Sequence, residues 1–112
     1  MTDEELVDAL KALAHPVRLR IMQALTGTER NVGEIDDAAE IGQPTLSQQL
    51  AVLRNAGLVK TRKDAKLVYY RIDESKLAQV VSETAALGSS QNSPVRSSKQ
   101  PTPGVANFAR LD

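Results

Sequence analysis

Apolar positions recur along the chain at helical spacing in five stretches and in strand-like runs in two. Thr2 and Glu5 stand at capping-box spacing, and Leu6, Leu10 and Leu13 follow at i, i+4 and i+7 as one stripe. Pro16 ends this first predicted helix and opens a second over 16–26, with Val17, Ile21, Met22 and Leu25 inward and Gly27 as C-terminal cap. Asn31 and Glu34 repeat the cap spacing before a third helix, whose apolar positions are Val32, Ile35, Ala38 and Ile41; Gly42 breaks it. A fourth helix is predicted from Pro44 to Asn55 or Ala56, with Leu46, Leu50 and Leu53 as its buried stripe and Gly57 closing it. Residues 58–62 and 67–72 are β-branched or aromatic-rich, and the polar tip Lys63-Asp64-Ala65-Lys66 joins them as a hairpin. Asp73 or Ser75 then caps a fifth helix carrying Leu77, Val80, Val81, Thr84 and Leu87 on one face. From Gly88 the chain turns Ser- and Pro-rich, which predicts a disordered tail over 88–112 behind a folded domain over 1–87.

The order is helix, short glycine turn, helix, hairpin. It predicts a mainly α fold of about five helices with a two-stranded antiparallel wing, a winged helix-turn-helix over about 32–71. With Phe108, Tyr69 and Tyr70 as its only aromatic residues, the core must be built from Leu, Ile, Val and Ala, which suits packed helices. The 112 residues fit one domain with a modest core that dimerisation would enlarge.

Net charge is zero but unevenly spread. Residues 1–42 hold nine acids and four bases, whereas residues 43–71 hold six bases (Arg54, Lys60, Arg62, Lys63, Lys66, Arg71) and the single acid Asp64. A basic middle in a neutral chain suits a surface facing a polyanion or a merely solvated charged face, and charge alone does not choose. The fourth helix does. Beside its leucine stripe it offers uncharged hydrogen-bonding groups, namely Gln43, Thr45, Ser47, Gln48 and Gln49. Gln amides pair with adenine edges, and Ser or Thr hydroxyls with base or phosphate. No acid lies between Glu40 and Asp64 to repel phosphate. Lys60, Arg62, Lys63 and Lys66 on the hairpin would grip the backbone of double-stranded DNA, adding affinity more than sequence choice. Arg54, late in the fourth helix, serves backbone binding or a salt bridge to Asp36 or Asp37.

The segment Leu13-Ala14-His15-Pro16-Val17-Arg18-Leu19-Arg20-Ile21 resembles the helix-joining motif of the ArsR/SmtB repressor family. Val32-Gly33-Glu34-Ile35, Gln43-Pro44-Thr45-Leu46-Ser47-Gln48-Gln49-Leu50, Leu53-Arg54-Asn55-Ala56-Gly57-Leu58-Val59 and Tyr69-Tyr70-Arg71 continue the resemblance in register over about residues 5–87. The resemblance implies a homodimeric winged-helix repressor with the first and fifth helices as its interface. The stripes Leu6, Leu10, Leu13 and Leu77, Val80, Val81, Thr84, Leu87 fit that role, or that of intramolecular core.

The family's sensor ligands are missing. The chain has no Cys, so a thiolate metal site is unavailable, as is the two-cysteine chemistry of the persulfide-sensing branch that Val32-Gly33-Glu34-Ile35 and Gln43-Pro44-Thr45 most resemble. Residues 73–87 contain no His, and Asp73, Glu74 and Glu83 alone would make a poorly selective hard-ion site. The expectation is therefore no cofactor, with an unknown small organic effector or none. His15, beside Pro16, is expected to fix the helix junction by an imidazole hydrogen bond, and Tyr69 and Tyr70 to pack the wing. An enzyme is excluded by inventory: there is no Gly-rich phosphate loop, no nucleophile with a base, and Asp36-Asp37 point to different helix faces. The acidic start and the lack of a long apolar run predict a cytoplasmic protein without membrane segments. Two functions besides repression fit the same fold: an activator or anti-repressor displacing another regulator, and a winged-helix protein-interaction module.

Overall fold

A computed structural model describes residues 1–89. The elements run α1 (Asp3–Leu13), α2 (Pro16–Ala24), β1 (Arg30–Asn31), α3 (Val32–Ala39), α4 (Thr45–Asn55), β2 (Val59–Asp64), β3 (Leu67–Ile72) and α5 (Glu74–Gly88). The residues of the expected tail from 90 onward lie outside the described part of the chain.

Local chemistry places the helix starts. The Thr2 hydroxyl accepts from Glu5 N at 3.1 Å and the Glu5 carboxylate accepts from Thr2 N at 3.0 Å, the reciprocal pair expected from their spacing. The Thr2 N–H, followed by nearby Lys76, holds the Glu5 carboxyl below its ordinary pKa. Asn31 and Glu34 form the same pair at the start of α3, each bond 2.9 Å. At α2, Nδ1 of His15 accepts from Val17 N at 3.1 Å, so the imidazole caps the helix that Pro16 begins. Asp73, the first of the two candidates for α5, accepts from Lys76 N at 3.1 Å.

The largest buried side chains of the core form a Leu/Ile cluster: Ile21 of α2, Leu25 at its C-cap, Ile35 of α3, Leu46, Leu50 and Leu53 of α4, and Leu58 before β2. The predicted stripe of α4 is buried in full. In α1 the pattern is different from expectation. Ala9 and Ala12 are the buried residues, Leu6 and Leu13 pack half-buried against the cluster, and Leu10 is left 37 % exposed. Small side chains let α1 approach α2 and α4 closely, and the larger leucines are displaced toward solvent.

Boundaries shift for tertiary reasons. Helix α2 ends at Ala24, two residues short of the predicted end, and Gly27 turns the chain with φ +70°. Helix α3 ends at Ala39 with Glu40 left-handed, so Ile41 falls outside it and Ala39 is buried where Ala38 was expected. The hairpin connection is two residues, Ala65-Lys66, because β2 continues through Asp64 opposite Leu67. The wing has a third strand that the alternation did not reveal. Arg30 and Asn31 pair with Tyr70 and Tyr69, giving the order β1-β3-β2. Two residues are too short to show period-two patterning, and their pairing covers the edge of β3 that would otherwise stay open.

Three arginines of the acidic N-terminal half are consumed by backbone carbonyls at helix ends. Arg18 Nε donates to Ala12 O at 2.6 Å and Nη2 to Lys11 O at 3.3 Å at the end of α1. Arg30 Nε donates to Ala24 O at 2.8 Å at the end of α2. Arg20 Nη2 donates to Ala39 O and Glu40 O at the end of α3. Each satisfies orphan carbonyls and places positive charge against the negative end of a helix. Among the described residues no helix is long and apolar enough to cross a membrane.

Candidate nucleic-acid interface

The α3–α4 junction is held from both sides. One oxygen of Asp36, Oδ1, accepts from Ile41 N at 3.1 Å and Gly42 N at 2.7 Å. Arg20 binds the carbonyls just before them. Gly42 sits at φ +84°, a conformation a side chain would strain. Asp36 is therefore the brace of the turn. The ion pair expected as one alternative between Arg54 and Asp36 or Asp37 does not form: Arg54 is exposed and makes no ion pair among the described residues.

On α4, Gln43, Thr45, Ser47 and Gln48 are exposed just ahead of and along the first turns, opposite the buried leucines. The first turn carries no acid, so the positive end of the helix faces outward uncompensated by carboxylates. Gln43 is partly spent locally: its Oε1 accepts from Ser47 N at 3.2 Å and from Ser47 Oγ at 2.8 Å. Gln49 sits apart from this group. It is half-buried, and its Oε1 accepts from Nη1 of Arg18 at 2.7 Å.

On the wing, Lys60, Arg62, Lys63 and Lys66 are all exposed. Strand alternation puts Lys60 and Arg62 on the face away from buried Val59, and Lys63 on the opposite one. The lysines form no ion pair among the described residues, but Arg62 is occupied. Its Nε donates to both oxygens of Glu29 at 2.8 and 2.9 Å, its Nη2 lies 2.7 Å from Glu29 Oε1, and its Nη1 lies 3.8 Å from Asp64. Its Cζ lies 4.8 Å from the ring centroid of cross-strand Tyr69, a cation–π geometry. Arg71 approaches the same carboxylate at 3.9 Å. The Arg62 hydrogen bonds hold the Glu29 carboxyl below the ordinary carboxylate pKa, and Glu29 raises Arg62 in return. Glu29 lies 33 residues from Arg62, a separation at which no local spacing could have announced the pair.

A third surface lies between α1 and α5. Leu10 and Leu13 face Leu77, Val81 and Thr84 across an apolar groove of about 390 Å³. Val81 is 58 % and Leu87 80 % exposed. Val80, expected in the same stripe, is 2 % exposed and belongs to the core of this chain, and Leu6, Leu13 and Leu77 pack half-buried against that core. Among the described residues no three of His, Cys, Asp and Glu are grouped to hold a metal ion.

The sequence profile described as "Bacterial regulatory protein, arsR family" matches residues 15–61, from the α2 cap into the wing. The "Biofilm growth-associated repressor" of Xylella fastidiosa is 51 % identical over 77 residues, covering 69 % of this chain and 68 % of that protein. The "Transcriptional activator HlyU" of Vibrio cholerae is 42 % identical over 72 residues, covering 64 % of this chain and 67 % of that one. The crystal structure of the transcriptional repressor BigR from Xylella fastidiosa superposes with a TM-score of 0.61 at 44 % identity, covering 81 % of this chain and all of that one. The helix-turn-helix, the basic wing and these relatives lead to one conclusion: this chain belongs to the ArsR family of winged-helix, DNA-binding transcriptional regulators.

Proposed function

We propose that the chain acts in the cytoplasm as a homodimeric repressor of an operon, with its own gene a candidate target, and that it binds an imperfect palindrome. The observation that carries this reading is the division of one surface into two chemistries. The exposed face of α4 is neutral and rich in amide and hydroxyl groups, while the wing beside it is cationic. Gln48, Thr45 and Ser47 read base edges; Lys60, Lys63, Lys66 and Arg54 hold phosphates; Arg62 reaches phosphate by exchanging Glu29 for it. The second protomer packs on the α1–α5 groove, where Leu10 and Val81 stay exposed in the single chain, as does Leu87 further along α5. In such a pair the two α4 helices enter successive major grooves about 34 Å apart. Without Cys and with one His, no thiol or classical metal signal is assigned.

The test is a mobility-shift comparison on a duplex selected by the protein from random sequence and on random duplex. Gln48→Ala should cost about 1–3 kcal/mol on the selected duplex and little on random DNA. Lys63→Ala should weaken both alike. Equal losses from the two variants on both duplexes would remove the division of labour, and no shift with either duplex would favour a protein-interaction module.

A further inference from the structure

We infer that Arg18 and Gln49 form a strut that fixes the reading helix relative to the dimer face, so that Gln49 sets half-site spacing as a positioning residue instead of reading a base. The inference rests on the dimeric DNA-binding reading above. One guanidinium joins three helices: rooted in the first turns of α2, it donates to Ala12 O and Lys11 O at the end of α1 and to Gln49 Oε1 on α4. Both side chains are half-buried, at the border between the leucine stripe of α4 and its exposed face.

This contact differs in kind from the others that hold α4. Leu46, Leu50 and Leu53 attach α4 through apolar burial, which is non-directional and tolerates small rotations and slides. A planar guanidinium with fixed donor directions does not. The α1 end of the strut belongs to the helix that carries Leu10 and Leu13 in the apolar groove. In a two-fold pair, any slack between that groove and α4 appears twice in the separation of the two reading helices. A spacer changed by one base pair moves a half-site by about 3.4 Å and turns it by about 34–36°. A stiff strut penalises that change and a loose one absorbs part of it.

The experiment uses the full chain and the duplex it selects from random sequence, together with versions whose central spacer is one base pair longer or shorter. Wild type should lose about tenfold or more in affinity on either altered spacer, a cost comparable to a mismatched base pair. Gln49→Ala removes the tie while leaving Arg18 on the α1 carbonyls, so folding is retained. It should narrow that loss to about two- to threefold, with unchanged base preference. Gln49→Glu keeps an acceptor for Arg18 and should restore the sharp spacer profile, at lower overall affinity because it adds a negative charge near phosphate. A Gln49→Ala variant with the wild-type spacer profile overturns the proposal, as does one whose selected sequence changes at a base pair while the profile stays sharp. The second result would make Gln49 a base reader. Failure of wild type to bind any duplex, or to dimerise, would instead refute the underlying DNA-binding reading.

Discussion

Val81→Asp should give a stably folded monomer whose affinity for the selected duplex falls at least about a hundredfold. Val81 is 58 % exposed in the single chain, so a carboxylate there costs the protomer little. In the dimer the same carboxylate would be buried against the apolar groove of Leu10, Leu13 and Thr84. A lone protomer meets one half-site and forfeits the effective concentration that tethers the second, which is worth on the order of 10²–10⁴. Sedimentation should report the mass of one chain, and far-UV circular dichroism should match wild type. The adjacent Val80→Asp is the contrast: at 2 % exposure Val80 belongs to the core, and its replacement should unfold the chain. A Val81→Asp variant that still sediments as a dimer would move the interface elsewhere.

The second large effect concerns the helix-turn-helix itself. Asp36→Ala leaves the N–H groups of Ile41 and Gly42 without their acceptor, and should destabilise the fold by about 2–3 kcal/mol in urea denaturation. Asp36→Asn keeps one oxygen in place and should cost less than about 1 kcal/mol. Similar losses from both would mean that the carboxylate charge, and not its acceptor oxygen, supports the turn.

Asp36 also shows which parts of this molecule can be read from its sequence. Capping pairs such as Thr2–Glu5 and Asn31–Glu34 are legible because both partners lie within one turn. The leucine stripe of α4 is legible because burial of one helix face imposes a 3.6-residue period. The exposed amide face of α4 and the lysines of the wing follow from the same pattern, because they are what the buried stripes leave outside. The contacts that shape the site span a different range. Arg18 meets Gln49 across 31 residues and Arg62 meets Glu29 across 33, and neither pair leaves a periodic trace. Their identities depend on how helix ends and strands come together in space. The alanine face of α1 is hidden for a related reason: leucine spacing marks an apolar stripe without saying how much of it the core of this chain covers.

Four arginines are committed to contacts within the chain. Arg18, Arg20 and Arg30 are tied to helix carbonyls, and Arg62 to a carboxylate. The cations left to attract phosphate are chiefly lysines of the wing and Arg54. Arg62 shares its charge with Glu29, so a formal count of wing cations overstates the charge the wing offers phosphate, and the number of phosphates neutralised becomes the quantity to measure.

That measurement is the salt dependence of binding by the purified full chain to its selected duplex. With roughly three to five phosphates neutralised per protomer, the slope of log K against log salt should lie at about −5 to −9, a loss on the order of a thousandfold or more between 50 and 200 mM. A slope near zero, or no binding at 50 mM salt, would contradict the assignment of α4 and the wing as a DNA-binding surface.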